Sequence, residues 1–396
     1  MALQFSGFAT LGYSYSDNSD IGFSPSYQNK FDTGGSFTRN SLVGGQVNIT
    51  LNKNWDSVIQ MVLQDRTYKS VDNFLELAFL RFRPSRNWAI RAGRLNSDLY
   101  VLSEYVHVGY AYLWIRPPHE FYNFAMPGGH INGADIEYSQ SLLDGFLHVK
   151  VLAGQSSLKI KDNTEDVFLD FENIMTLSAN YIVQDWTFRL SASRANIDSH
   201  KMVSVNEFAN LLQSIPAVLW PQASSLADEI QGQGKALTHG SLGITYDNQN
   251  WLVQSEVGVS ESQWLFVPAN INAYVSAGYR LGGVTIFAGV TSSKPRHNKL
   301  QVIPPQLPAA TPTSISEPLK QIVNAVEQSI NAFIANQRSF NVGAKWDVSD
   351  NLVMKIQFDR FFIQPNGAAL WRTQNFSDVT SGHNINVFTV SSSMVF

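Results

Sequence analysis

The chain has 396 residues, of which 44% are hydrophobic and only 15% charged, with a formal net charge of -4 and no cysteine. That balance excludes a nucleic-acid partner, which needs a basic surface, and a disulfide scaffold or thiolate metal site, which needs cysteine. No apolar run approaches the roughly 18 to 20 residues of a membrane helix, so a chain this long is either several soluble domains or one large barrel whose interior need not be a packed core.

The strand pattern begins at Leu3, directly after Met1 and Ala2. This reads as a mature chain whose export signal has been removed. Over 3–15, Leu3, Phe5, Ala9, Leu11, Tyr13 and Tyr15 share one face, and Gln4, Ser6, Thr10 and Ser14 the other. A half-polar strand of that length suits a bilayer, which needs about 9 to 11 residues, better than a globular core, where about 5 to 6 is usual. The alternation recurs. Asp56, Gln60, Gln64 and Arg66 oppose Trp55, Ile59, Met61 and Leu63. Thr187, Arg189, Ser191 and Ser193 oppose Trp186, Phe188, Leu190 and Ala192. Asn272, Ser276 and Arg280 oppose Ile271, Ala273, Val275, Ala277 and Tyr279. Lys355, Gln357 and Asp359 oppose Leu352, Met354, Ile356 and Phe358. On the fourth strand Leu75, Leu77 and Phe79 share a parity with Arg81 and Arg83, so they face lipid only if both arginines snorkel at a rim. Arg360 falls on the lipid parity, which predicts a bulge or a strand end there.

Short turns rich in Asn, Asp and Gly, as tight hairpins require, fall at 52–54, 84–87, 142–145, 184–185, 247–250, 282–283 and 349–351. Longer connections fall at 16–38, 66–73, 95–131, 156–170, 195–236, 261–270, 292–338 and 363–383. Seven turns and eight loops join 16 strands and leave both termini on the short-turn side. That is the bacterial arrangement, with short periplasmic turns and long extracellular loops. Trp55, Trp88, Trp186 and Trp251 open strands directly after short turns, and Trp346 precedes one. Indoles prefer the membrane–water interface, so these predict an aromatic girdle on the short-turn side. Two loops carry helical patterns. Ser204 and Glu207 form a capping box ahead of Val205, Phe208, Leu212 and Ile215, and Glu317-Pro318 opens a stretch with Leu319, Ile322, Val323, Val326, Ile330 and Phe333 on one side. Both are expected to fold over the barrel mouth.

Two motifs carry a family resemblance. The last strand ends in the aromatic Phe396, and Arg91-Ala92-Gly93-Arg94 closes the fifth strand ahead of a long third loop. With the strand count, the chain resembles the Gram-negative outer-membrane porins over its whole length. The resemblance implies an all-β, antiparallel, 16-stranded transmembrane barrel formed by 1–396 as one domain, with the third loop, about 95–131, folded into the lumen. It implies a homotrimer in the bacterial outer membrane, among lipid and lipopolysaccharide, that passes small hydrophilic solutes and has no cofactor. The third loop holds Tyr110, Tyr112, Trp114, Arg116, Pro117 and Pro118. It is more aromatic than the acidic loop of general porins, which leaves pore size and charge preference open.

A channel selects by the charges that line it. Alternation puts Arg91, Glu137, Lys150, Arg189, Glu256, Lys355 and Asp359 on the lumen side. Arg94 stands where the third loop departs, and Asp98, Glu104, His107, Arg116, His119 and Glu120 lie on that loop. Cations on the wall facing acids on the loop would set up a transverse field that orders water and dipolar solutes. The leading expectation is a passive diffusion channel, with a substrate-specific, anion-preferring porin as alternative. A barrel enzyme such as a lipase or protease, or an adhesion barrel, is the reading from another class. His119-Glu120 lacks the second histidine of a zinc helix. Gly232-Gln233-Gly234-Lys235 lacks the spacing of a phosphate loop, and no nucleophile elbow is present. Asp162, Asn163, Glu165, Asp166 and Asp170 offer calcium ligands in the fourth loop, without the glycine that a calcium loop turns on.

Overall fold

The computed structural model describes residues 1–25, 32–123, 129–161, 166–267, 269–297, 301–308, 310–373 and 380–396. Sixteen long strands make the wall: β1 Ala2–Ser16, β2 Leu42–Thr50, β3 Trp55–Gln64, β4 Leu75–Phe82, β5 Trp88–Asn96, β6 His130–Leu142, β7 Gly145–Lys161, β8 Asp166–Val183, β9 Trp186–Lys201, β10 Ala236–Asp247, β11 Trp251–Ser262, β12 Asn270–Leu281, β13 Val284–Pro295, β14 Ala335–Ser349, β15 Leu352–Ala368 and β16 His383–Val395. Each pairs antiparallel with the next, and β16 pairs back onto β1, which closes the cylinder and leaves no free edge. The last residue joins the seam: Gly7 N donates to Phe396 O at 2.7 Å and Phe396 N to Gly7 O at 2.9 Å.

The period-two pattern sorts side chains as the sequence predicts. Leu11, Val290, Leu242 and Val275 stand on the outside, each about half exposed or more, while Thr10, Thr291, Ser241 and Ser276 on the inner parity are buried. No helix among the described residues is long and apolar enough to cross a membrane. All seven short turns lie at one end. Trp88, Trp186, Trp251 and Trp346 project outward there, and their rings meet cross-strand partners, for example Trp88 on Tyr138 and Trp251 on Tyr279 with centroids 4.7 and 4.8 Å apart.

Four local readings meet the structure as follows. The fourth loop is shorter than 156–170, because β7 and β8 continue as a ribbon with Lys161 opposite Asp166 and Leu158 opposite Leu169. Of the calcium candidates, Asp162, Asn163 and Glu165 lie outside the described residues, Asp166 opens β8, and Asp170 lies within β8, where it accepts from Ser157 at 2.7 Å. On β4 the apolar parity faces inward: Phe79 is buried opposite the buried Val58, and Arg91 lies over its ring at 5.2 Å. At Arg360 the ladder runs without a bulge, opposite Phe340 and Asn386, so this cation does point outward.

Five α-helices are bounded by described residues in the loops: α1 Val71–Phe74, α2 His119–Tyr122, α3 Val203–Ser214, α4 Ala223–Ile230 and α5 Thr313–Asn331. α4 has no counterpart in the sequence reading. α3 starts after Met202 with no side-chain cap, and the Ser204 side chain lies outside the described residues. α5 starts five residues before Pro318, because the Pro312 carbonyl accepts from Ile315 N and Ser316 N and so opens the first turn. Val205, Leu212, Trp220, Leu226, Ile230, Val323 and Val326 join Leu99, Leu102, Trp114 and Phe121 of the third loop in one apolar cluster. Burying a large apolar side chain contributes about 1.5–3 kcal/mol, so this cluster holds the loops of the long-loop end as a packed unit.

Candidate functional site

The third loop crosses the lumen over its described residues 97–123. Its descent starts at Asp98, whose φ of 48° is in the left-handed region that a residue with a Cβ rarely adopts. The wall holds that turn: Arg189 Nη2 donates to Asp98 O at 2.7 Å and to Oδ1 at 2.8 Å, and Ser191 Oγ donates to Leu99 O at 2.6 Å. Farther along, Glu256 of β11 accepts from Val101 N at 3.0 Å, Tyr122 Oη at 2.5 Å and Tyr274 Oη at 2.6 Å. The loop reaches the short-turn end, where Tyr110 Oη donates to Asp350 O at 2.7 Å.

Its return is pinned from β12 to β16. Lys355 donates from one buried ammonium to three loop carbonyls, Gly109, Tyr112 and Trp114, each at 2.5 Å. Trp114 Nε1 donates to Ser276 at 3.0 Å, and Ile115 N to Gln357 at 2.8 Å. Arg116 pairs with Asp359 at 2.6 Å, donates to Thr389 at 3.1 Å and covers the Phe23 ring at 4.4 Å. Glu120 accepts from Thr291 at 2.5 Å and Gln337 at 3.0 Å. Burial pushes its carboxyl up from the ordinary range, against those hydrogen bonds. His119, packed among Phe23, Phe361 and Trp371, is pushed down to about 3 by burial and the nearby Arg116, so it is neutral.

The loop's other edge carries the charges that face open space. Glu104 is more than half exposed, and it meets Lys150 at 2.8 Å. Lys150 also meets Asp98 at 3.2 Å and Glu137 at 3.3 Å, and Arg91 joins Asp135 at 2.5 Å and Glu137 at 2.9 Å. Burial alone would raise Asp98 and Glu104; Lys150, with Arg189 beside Asp98, outweighs it and lowers both. A cavity of about 220 Å³ opens here, lined by Asp98, Glu104, Tyr105, His148, Lys150 and Arg189 among others. Around from it, inner polar groups of β2–β5 stay half-buried: Gln46 and Gln60 join at 2.8 Å, and Arg81 meets Asp56 at 2.7 Å, an aspartate that Arg83 also engages.

Of the residues singled out by sequence, Arg91, Asp98, Glu104, Glu137, Lys150 and Arg189 meet in one network, and Arg116 with Asp359 forms a second. Glu256 and Lys355 tie down the loop. Arg94 stands apart. It leaves β5 on the register of Ala78 and Asn132, donates to Asn132 at 3.0 Å, and pairs with Asp72 of α1 at 2.6 Å, so it braces the second loop. Residues that the sequence reading missed include Tyr122 and Tyr274 at Glu256, and buried Glu76, which meets Arg66 and, at 3.6 Å, His107. Tyr274 was legible in principle, since it shares the inner parity of Asn272 and Ser276; Tyr122 was not, because its partner is 134 residues away.

No family model and no curated protein matches the chain. Among solved structures, the Salmonella typhi OmpF in complex with daunomycin aligns with a TM-score of 0.55 at 12% identity, over 100% of this chain and 97% of that one. An anion-selective porin from Comamonas acidovorans aligns at 0.54 and 9%, over 100% and 99%. The outer membrane channel DcaP of Acinetobacter baumannii aligns at 0.52 and 10%, over 100% and 97%. At these identities the likeness is one of fold: the chain has the closed 16-stranded barrel of the porins.

Proposed function

We propose, from the barrel fold that this chain shares with outer-membrane channels, that it is a porin of the bacterial outer membrane through which small polar solutes diffuse passively. The carrying observation is the unequal lumen. One side is filled by the third loop, and the other keeps half-buried Gln46, Gln60, Arg81 and Arg91 facing the loop's charged edge. Water and polar solutes find hydrogen-bonding groups there, whereas a poorly polar solute displaces ordered water without replacing its bonds. The fold and the family resemblance support a homotrimer among lipid and lipopolysaccharide.

Charge supports a weakly selective channel. Arg81, Arg83, Arg91, Lys150, Arg189 and Arg116 meet Asp56, Asp135, Glu137, Asp98, Glu104 and Asp359 within salt-bridge distance, six groups of each sign. An anion-preferring channel is the second reading. It is favoured by the surplus at Asp56, where two guanidiniums share one carboxylate, and by the fold likeness to a porin whose title calls it anion-selective. Three serine–histidine pairs occur among the described residues; in two of them, Ser260 with His239 at 2.9 Å and Ser139 with His148 at 2.8 Å, the ring has no carboxylate hydrogen bond among the described residues, which stands against an enzyme, and the third, Ser381 with His383 at 3.0 Å, is exposed. The test is conductance in planar bilayers. Ohmic steps in threes, with a reversal potential near zero in a salt gradient, are expected. A barrel that folds, inserts and passes no current sinks the proposal, and a reversal potential near the anion limit selects the second reading.

A further inference from the structure

Arg360 is one of three outward-pointing cations on adjacent strands. Lys294 on β13, Arg338 on β14 and Arg360 on β15 alternate with the inward Ser293, Gln337 and Asp359, and all three are exposed. Arg338 lies directly opposite Ser292 on one side and Phe362 on the other. Lys294 and Arg360 are therefore its two diagonal neighbours, about 7–8 Å away.

That diagonal follows the membrane plane. A row of directly opposed residues starts at Trp251, the first residue of β11. It runs through Tyr279, Ile286, Ala344, Ile356 and Val390 to Tyr13, near the long-loop end of β1. Rows thus climb the barrel by between one and two residues per strand, as tilted strands require. A line of constant height drops by that amount at each strand, and the step from Lys294 to Arg338 to Arg360 has this sense and about this size. On the short-turn side of the three lies the apolar belt, with Val290, Val342, Phe340 and Ile356 exposed. The cations stand where that belt ends, at the long-loop edge of the hydrocarbon.

Inside the lumen, Arg91, Lys150, Arg189 and Arg116 all contact carboxylates. Lys294, Arg338 and Arg360 have no acidic partner among the described residues. The nearest outward carboxylate in the row, Glu261, is already engaged by Arg296, and by His297 at 3.5 Å. Aromatic rings flank the row: Phe340 and Phe358, 6.4 Å apart, lie on its short-turn side, and Phe362, 6.3 Å from Phe340 and 5.4 Å from the Arg360 guanidinium, lies on its long-loop side.

We propose that β13–β15 form a docking face for an outer-leaflet lipid that carries phosphate on its headgroup. The guanidiniums take phosphate oxygens through paired N–H donors, and acyl chains lie along Phe340 and Phe358. The site needs the barrel to lie in the outer membrane, but not to conduct. The test uses the full chain in detergent, with bis-phosphorylated lipid A and phosphatidylcholine as probes, read by native mass spectrometry. Wild-type protein should hold lipid A at least tenfold more tightly than phosphatidylcholine, and less tightly at high salt. The triple variant Lys294→Gln, Arg338→Gln, Arg360→Gln should lose that preference, while Arg194→Gln on β9 should keep it. Heat-modifiability on gels verifies that each variant folds. Unchanged lipid A binding in a folded triple variant overturns the proposal. So does a triple variant that binds lipid A normally but changes oligomeric state, since the row would then face a second copy. Conductance of the triple variant, read in parallel, separates this outcome from failure of the channel reading.

Discussion

The two sides of the lumen use the same residue types in opposite ways. From β9 to β16 the inner polar groups are buried and spent on the third loop: Glu256, Lys355, Gln357 and Asp359 each bond to it or to a group that does. From β2 to β5 the corresponding groups stay half-buried and bond mainly to one another, as Gln60 does to Gln46 and Arg81 to Asp56. A polar side chain on an inner wall is therefore not by itself a permeation residue. Whether it holds a loop or meets a solute depends on which arc of the barrel it occupies.

The sharpest way to break this contrast is Lys355→Met. The variant leaves three buried carbonyls without their donor, and each buried unsatisfied group costs about 1–3 kcal/mol. The loop is expected to detach at its foot, which turns steady single-channel records into flicker and exposes 97–123 to protease. Steady records from a folded variant would mean that the loop is held elsewhere. Arg116→Ala follows, because it leaves Asp359 buried with Gln357 alone, and breaking such a pair costs about 3–5 kcal/mol. Thermal unfolding monitored by heat-modifiability should fall clearly in this variant and recover in the double variant Arg116→Ala, Asp359→Asn.

Acid offers a graded version of the same test. The folded values of Asp98 and Glu104 lie below the ordinary 3.8 and 4.5. Their contribution is therefore present above the unfolded values and is lost as pH falls through the folded ones. As pH falls through those lowered values, protonation frees Lys150 and Arg189 from the loop. Reversal potentials should then move toward anions, and the records should become noisier. No change on acidification as far as the barrel stays folded, in a titration that also shows both carboxylates protonated, would mean that they are not part of the conducting surface.

The sequence carried the wall better than the plug. Strand positions, the seven turns and the tryptophan ring follow from alternation and turn chemistry, both local. Lys150 and Asp359 were placed on the correct side because parity survives small errors in strand ends. The same rule failed on β4, where Leu77 and Phe79 face a loop that enters from elsewhere in the chain, so an apolar side chain on the inner parity is satisfied. Arg94, placed by its position before the third loop and not by parity, pairs with Asp72 of α1. Contacts such as Tyr110 to Asp350 span 240 residues, and no periodicity encodes them.

Arg81→Ala gives the smallest effect and the finest discrimination. Arg81 and Arg83 share Asp56, and both guanidiniums are partly exposed. Exposed pairs of this kind contribute roughly 0–1 kcal/mol, and Asp56 keeps one partner, so stability should hardly change. The surplus cation at that spot disappears, however, and the local charge falls to zero without any movement of the loop. A small shift of reversal potential toward cations, with step size and thermal behaviour intact, is the expected result. If the shift is absent although Lys355→Met alters the records, the solute path hugs the loop edge at Glu104 and Lys150 and not the arc from β2 to β5.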